Sequence, residues 1–93
     1  MPVIFTRAAL RSLAEIRAFI GQENPHAANR VAVQIVAACD RLEYLPERGR
    51  PGLVPGTREI VALWPYVIVY RITPAAVEIL NIWHGARSRP SEP

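Results

Sequence analysis

REIVALWPYVIVYRITPAAVEILNIW, residues 58–83, holds three consecutive runs rich in β-branched and aromatic side chains. They cover 58–64, 65–72 and 76–83. Thr73-Pro74-Ala75 between the last two has the composition of a tight turn, which makes that pair a hairpin. In the middle run Tyr66, Ile68, Tyr70 and Ile72 alternate with Val67, Val69 and Arg71. Both faces are mainly apolar, the pattern of a central strand covered on each side. Helices must cover one face. The other needs a cover of its own, or it lies open as an adhesive groove.

The helices lie upstream. Thr6 offers an N-cap to RAALRSLAEIRAFIG, where Leu10, Leu13, Ile16 and Ile20 recur at helical spacing and Ala14 and Phe19 widen the stripe. Gly21 suits the position just past the helix end. Asn24-Pro25 supplies a second N-cap and a proline first helical residue. The stripe that follows is Ala28, Val31, Ile35, Ala38, Cys39, Leu42 and Leu45, stopped by Pro46. So short a connection folds the two helices into an αα-hairpin. Val3-Ile4-Phe5 reads as a short strand, and 46–57, with three prolines and three glycines, as a loop. The predicted order is β-α-α-β-β-β in a single α+β domain spanning 1–93, with 88–93, SRPSEP, as a frayed tail.

Ninety-three residues hold one domain. The single cysteine, Cys39, excludes an internal disulfide and suits a reducing compartment. MPVIF is too short for a signal peptide and no apolar run reaches membrane-spanning length. A soluble, cytoplasmic protein with no membrane partner is expected. Residues 1–47 balance five arginines against five acids, whereas 48–93 hold six arginines against Glu59, Glu78 and Glu92. The excess of +3 is therefore entirely C-terminal, and every basic residue is arginine. Arginine forks grip phosphates and carboxylates bidentately; a genome biased towards arginine and alanine codons would give the same composition.

Little catalytic chemistry is written in the chain. RGRPG at 48–52 lacks the Lys-Ser/Thr continuation of a phosphate loop. His26 and His84 fall on different elements, so no metal site and no cofactor is expected. Ser12, Ser88 and Ser91 lack a nucleophile's context. General acid–base cleavage of RNA could draw on Glu47, His84, Arg58, Arg71 and Arg87. Three of these have a plain alternative: His84-Gly85 ends a strand with Gly85 at positive φ, and Arg58 and Arg71 pair across strands with Glu59 or Glu78. Trp64 and Trp83 close strands as core or rim packing. Tyr66 and Tyr70 either pack on the helices or line the groove.

In order and spacing, the helix hairpin, Leu45-Pro46-Glu47-Arg48-Gly49-Arg50-Pro51, Gly56-Thr57-Arg58-Glu59, Pro65-Tyr66-Val67-Ile68-Val69-Tyr70-Arg71 and Ile82-Trp83-His84-Gly85-Ala86-Arg87 resemble the RelE/ParE superfamily of type II toxin–antitoxin toxins over about residues 3–90. RelE-like members cleave mRNA on ribosomes; ParE-like members inhibit DNA gyrase and trap it on cleaved DNA. Where RelE-like ribonucleases carry an arginine for the scissile phosphate, this chain has Val67, and it lacks their functional Tyr or His beyond the last strand. Arg87 does match one of their arginines. The resemblance thus implies the ParE branch: a gyrase inhibitor more than an enzyme, with mRNA cleavage or an inactive antitoxin-binding module as alternatives.

The resemblance also implies a curved sheet, the first strand joined to the last three, with the hairpin on one face. An acidic, extended antitoxin tail would fill the other, and toxin and antitoxin could assemble further into hetero-oligomers. On this basis Tyr66, Tyr70, Arg71 and Trp83 are expected to meet the antitoxin. Arg58, His84, Arg87 and Arg89 are expected to meet gyrase or its DNA, and no residue is assigned a catalytic role.

Overall fold

The computed structural model describes residues 1–86. Strand β1 (Val3–Phe5) leads into helix α1 (Arg7–Gly21), and helix α2 (Pro25–Asp40) returns against it. Two short 3-10 turns, Arg41–Glu43 and Pro46–Arg48, lead to strands β2 (Arg50–Pro51), β3 (Arg58–Leu63), β4 (Tyr66–Ile72) and β5 (Val77–His84). The sheet order is β1-β5-β4-β3-β2. The expected α+β order holds, and β4 is central.

The helix starts are set by the residues that signalled them. The Thr6 hydroxyl oxygen accepts from the Ala9 N–H at 3.2 Å and its O–H donates to the Ile79 carbonyl at 2.8 Å, so one side chain caps α1 and ties it to β5. The Asn24 side-chain oxygen accepts from the Ala27 N–H at 3.0 Å, with Pro25 in the first turn of α2. The ends differ from expectation. Gly21 is the last helical residue of α1, with Gln22 as right-handed C-cap. A Cβ on Gly21 would make ordinary contact with the Ala28 methyl at 3.7 Å, so glycine here is not required by the backbone.

Sheet pairing is antiparallel except for β1, which runs parallel to β5 with Val3 opposite Val77 and Phe5 opposite Ile79. A parallel neighbour requires a long crossover, and everything between β1 and β5 supplies it. The register of β4 on β5 slips between Val69 and Tyr70, leaving Leu80 as the extra residue of a bulge.

The core lies between hairpin and sheet. Ala9, Ile35, Ala38, Cys39 and Leu42 meet Ile68, Tyr70, Val77, Ile79 and Ile82. Ile35 and Ile68 are wholly buried; truncating either to alanine costs about 2–5 kcal/mol. The α1 stripe is rotated relative to the sequence pattern. Ala9 sits at its centre while Leu10 is 52 % exposed, because a small residue lets the helix approach the sheet closely. Leu45 likewise leaves the α2 stripe at 60 % exposure, since the tighter 3-10 turn at Arg41–Glu43 breaks the helical phase.

Candidate functional site

The residues expected to meet a partner divide between the two faces of the sheet. Tyr66 and Tyr70 point to the helix side with Ile68 and Ile72, and all four belong to the core or pack on it. Arg71 and Trp83 lie on the other face, where Trp83 is the cross-strand partner of Val67. The four therefore form no common groove.

Tyr70 is wholly buried, which corrects its placement on an accessible surface. The cause is its hydroxyl, which donates to the Pro46 carbonyl at 2.7 Å and accepts from the Gly49 N–H at 2.8 Å. Burial raises its pKa above the ordinary tyrosine range, opposed by the Gly49 hydrogen bond and by the charges of Arg58 and Arg48. Trp83 also loses its expected accessibility, with only 8 % of its surface exposed, and Val67 opposite it retains 2 %. At the centre of the outer sheet face, Val67 and Trp83 are thus both buried. Tyr66 is half-buried, and Arg71 stays accessible, its Nε 2.7 Å from Glu78 Oε1.

Arg58 serves the fold. Its guanidinium donates to the Gly49 carbonyl at 2.8 Å and to the Glu47 carbonyl at 3.2 Å, fastening the same segment that Tyr70 holds. The cross-strand pair anticipated for Glu59 forms with Arg50 instead, at 3.4 Å, and Glu59 is the one buried charged side chain among the described residues. His84 is half-buried at the end of β5. Its ring meets Tyr66 edge-on at 5.6 Å, and its Nδ1 accepts from the Ala86 N–H at 3.2 Å. That bond uses the Nδ1 lone pair, so the neutral ring carries its proton on Nε2. Arg58 and His84 flank β4 on opposite sides, opposite Tyr70 and Tyr66 respectively, roughly 13 Å apart along the strand direction. The structure does not bring them together. Arg87 and Arg89 lie outside the described residues.

Gly85 also departs from expectation. Gly56 is the residue with positive φ among the described ones, so a left-handed turn does not explain Gly85. A Cβ there would approach the Pro65 carbonyl to 3.0 Å and the Trp64 ring to 3.1 Å. The approach is tight, so a methyl at this position needs its neighbours to give by a few tenths of an ångström.

Other accessible apolar surface went unforeseen. Leu13, Arg17, Asn29, Val33, Val36 and Asp40 border an open depression of about 540 Å³ on the helix hairpin, and Val33 is 67 % exposed. Trp64, at the turn between β3 and β4, is 69 % exposed. Nothing local separates such residues from core ones, because tryptophan and valine carry no mark of which side they take. Among the described residues no group of His, Cys, Asp or Glu could hold a metal ion, and no helix is long and apolar enough to cross a membrane.

Residues 3–89 match the family model described as the ParE toxin of the type II toxin–antitoxin system parDE. This chain belongs to the ParE toxin family. The toxin is 46 % identical over 87 residues to Y4kP of Sinorhizobium fredii, covering 92 % of this chain and 90 % of that protein. It is 45 % identical over 86 residues to toxin RelE2 of Caulobacter vibrioides, covering 91 % and 96 %. Among solved structures it is similar to a chain of the chromosomal ParDE system from P. aeruginosa, with 27 % identity, a TM-score of 0.84 and coverage of 90 % and 95 %. A chain of the RelBE2 toxin–antitoxin complex from Mycobacterium tuberculosis, at 24 % identity and TM-score 0.58 over 89 % and 95 %, shares the fold. The toxin is one component of a type II toxin–antitoxin system, and a cognate antitoxin is its partner.

Proposed function

We propose that the toxin acts in the cytoplasm as an inhibitor of DNA gyrase that traps the enzyme on cleaved DNA, and that an antitoxin with an acidic, extended tail neutralises it. The observation that carries the choice of target is Val67. It stands where ribonucleases of the superfamily carry the arginine that meets the scissile phosphate, and it is 2 % exposed beside Trp83. A buried valine brings neither charge nor hydrogen bond to a phosphorane. Three other groups that could have served RNA cleavage are engaged within the fold. Arg58 holds the carbonyls of Glu47 and Gly49, Arg71 holds Glu78, and His84 Nδ1 holds the Ala86 N–H. An inhibitor needs no such set, because it breaks no bond itself.

The surplus of arginine in residues 48–93 supports an acidic antitoxin segment, since opposite charge speeds encounter and narrows partner choice. Arg71, accessible on the outer sheet face, belongs to that contact.

Gyrase, ATP and plasmid incubated with antitoxin-free toxin, then denatured and treated with protease, should yield linear DNA that appears only after the protease step. Normal supercoiling and no linear DNA, with toxin shown to be folded, would remove gyrase as the target. Cleavage of mRNA in a translating extract, prompted by the RelE names of its relatives, would then become the leading activity. Arg87→Ala is expected to weaken growth arrest more than Arg17→Ala, at matched protein levels. Equal arrest by the two would exclude Arg87 from the target surface.

A further inference from the structure

The apolar part of the outward face of α2 reads the same in both directions. Asn29, Val33, Val36 and Asp40 fall within about 60° of one another around the helix and span about 16 Å of its length. Ala32 and Ala37 flank the two valines. A two-fold axis between residues 34 and 35 exchanges 29 with 40, 32 with 37 and 33 with 36. Alanine then falls on alanine and valine on valine. All six residues border the open depression of about 540 Å³ that Leu13 and Arg17 of α1 complete.

The two ends of this stripe carry opposite charge. Arg17 donates to Asn29 Oδ1 at 3.1 Å, which holds a guanidinium at the Asn29 end. Asp40 sets a carboxylate at the other end. Arg17, Asn29 and Asp40 are all exposed. The ion pairs among the described residues, Arg50–Glu59 and Arg71–Glu78, use neither charge. Within one chain the length of the stripe keeps the two apart.

We propose that the toxin, when free of antitoxin, pairs with a second copy of itself through this face, with α2 antiparallel to α2. Charge complementarity selects this occupant. An acidic segment laid along the stripe would meet a cation at one end and a carboxylate at the other. A second copy turned about the two-fold axis satisfies both ends at once, since Arg17 of each copy faces Asp40 of the other. Val33, 67 % exposed, then packs on Val36 of the second copy, and the alanines beside them let the helices approach closely. An interface confined to one hairpin face is small, so the dimer is a reversible one. The proposal does not depend on the target named above.

Sedimentation of the full-length, antitoxin-free toxin over a concentration series tests it, with melting temperature as the check on folding. The mass of the unaltered toxin should rise from one chain towards two and no further. Asp40→Arg and Arg17→Asp should each weaken pairing about tenfold or more by setting like charges face to face. The double variant, Arg17→Asp with Asp40→Arg, should restore it, because the exchanged charges again meet their opposites. Val33→Lys should abolish pairing at an unchanged melting temperature. A toxin monomeric throughout the series would overturn the proposal, as would assembly beyond two chains. Pairing unchanged in Val33→Lys would place any dimer on another face. A folded double variant that stays monomeric would exclude the antiparallel register. Loss of antitoxin affinity in Val33→Lys, with mass unaltered, would make this face an antitoxin contact instead. Where a charge variant melts lower, Val33→Lys, which alters one exposed side chain at the centre of the stripe, decides.

Discussion

The Gly49 backbone N–H donates to the hydroxyl oxygen of Tyr70 at 2.8 Å, and the two are so close that a Cβ on residue 49 would fall 2.5 Å from that oxygen. The same hydroxyl donates onward to the Pro46 carbonyl. A buried strand residue thereby holds in place a segment that buries no side chain of its own at Pro46–Arg48.

Tyr70→Phe removes one donor and one acceptor while keeping the ring, and leaves the Pro46 carbonyl and Gly49 N–H without that partner. The expected cost is about 1–3 kcal/mol, read as a melting temperature lower by about 4 °C or more. Gly49→Ala should cost at least as much, since the methyl cannot enter without moving the tyrosine. A melting temperature unchanged in Tyr70→Phe would show that the segment holds itself.

Alkaline pH should act through the same residue. Burial raises the Tyr70 pKa in the folded protein, so folding favours the protonated phenol. Its contribution is complete below the unfolded pKa of about 10 and is lost as pH rises through the raised folded value. Melting temperature measured from pH 8 to pH 11 should therefore fall less steeply in Tyr70→Phe than in the unaltered toxin. Parallel curves would exclude Tyr70 as the cause of alkaline unfolding.

Cys39 is wholly buried in α2, and its thiol is pushed up to about 12, first by burial and then by the Asp40 charge. At pH 8 a disulfide reagent should react with it slowly, at a rate set by opening of the fold. Destabilising substitutions such as Tyr70→Phe should speed that reaction. A rate equal to that of a free thiol would mean that the helix opens readily at this point.

Arg58 should behave as a stabilising residue. Arg58→Lys keeps the charge but loses the planar fork that reaches the Glu47 and Gly49 carbonyls. Chemical denaturation should show a loss of roughly 1 kcal/mol for lysine and somewhat more for alanine. Full stability in Arg58→Lys would return Arg58 to the candidates for a contact made by charge alone.

Local signals were legible because they act between near neighbours. Thr6 and Asn24 cap the helices they precede, and the two-sided apolar pattern of residues 65–72 marks the central strand of the sheet. Faces and partners were not legible in the same way. Whether Tyr70 packs on the helices or lines a groove depends on a carbonyl 24 residues away. Arg58 is bound by backbone atoms of a loop whose course no periodicity describes. Leu10 and Ala9 exchange places because approach of helix to sheet, not hydrophobicity, selects the centre of the stripe.

By itself the sequence determined the helix hairpin, the strands after it, the arginine surplus of the second half and the absence of a cation at Val67. All follow from short spacings and from residue identity. Only the tertiary structure decided that β1 runs parallel to β5, that Trp83 is buried while Trp64 is exposed, and that Gly85 lies close against the Trp64 ring. Those facts join residues distant along the chain, and the energy that selects them is burial and close packing, which has no value until the chain has folded.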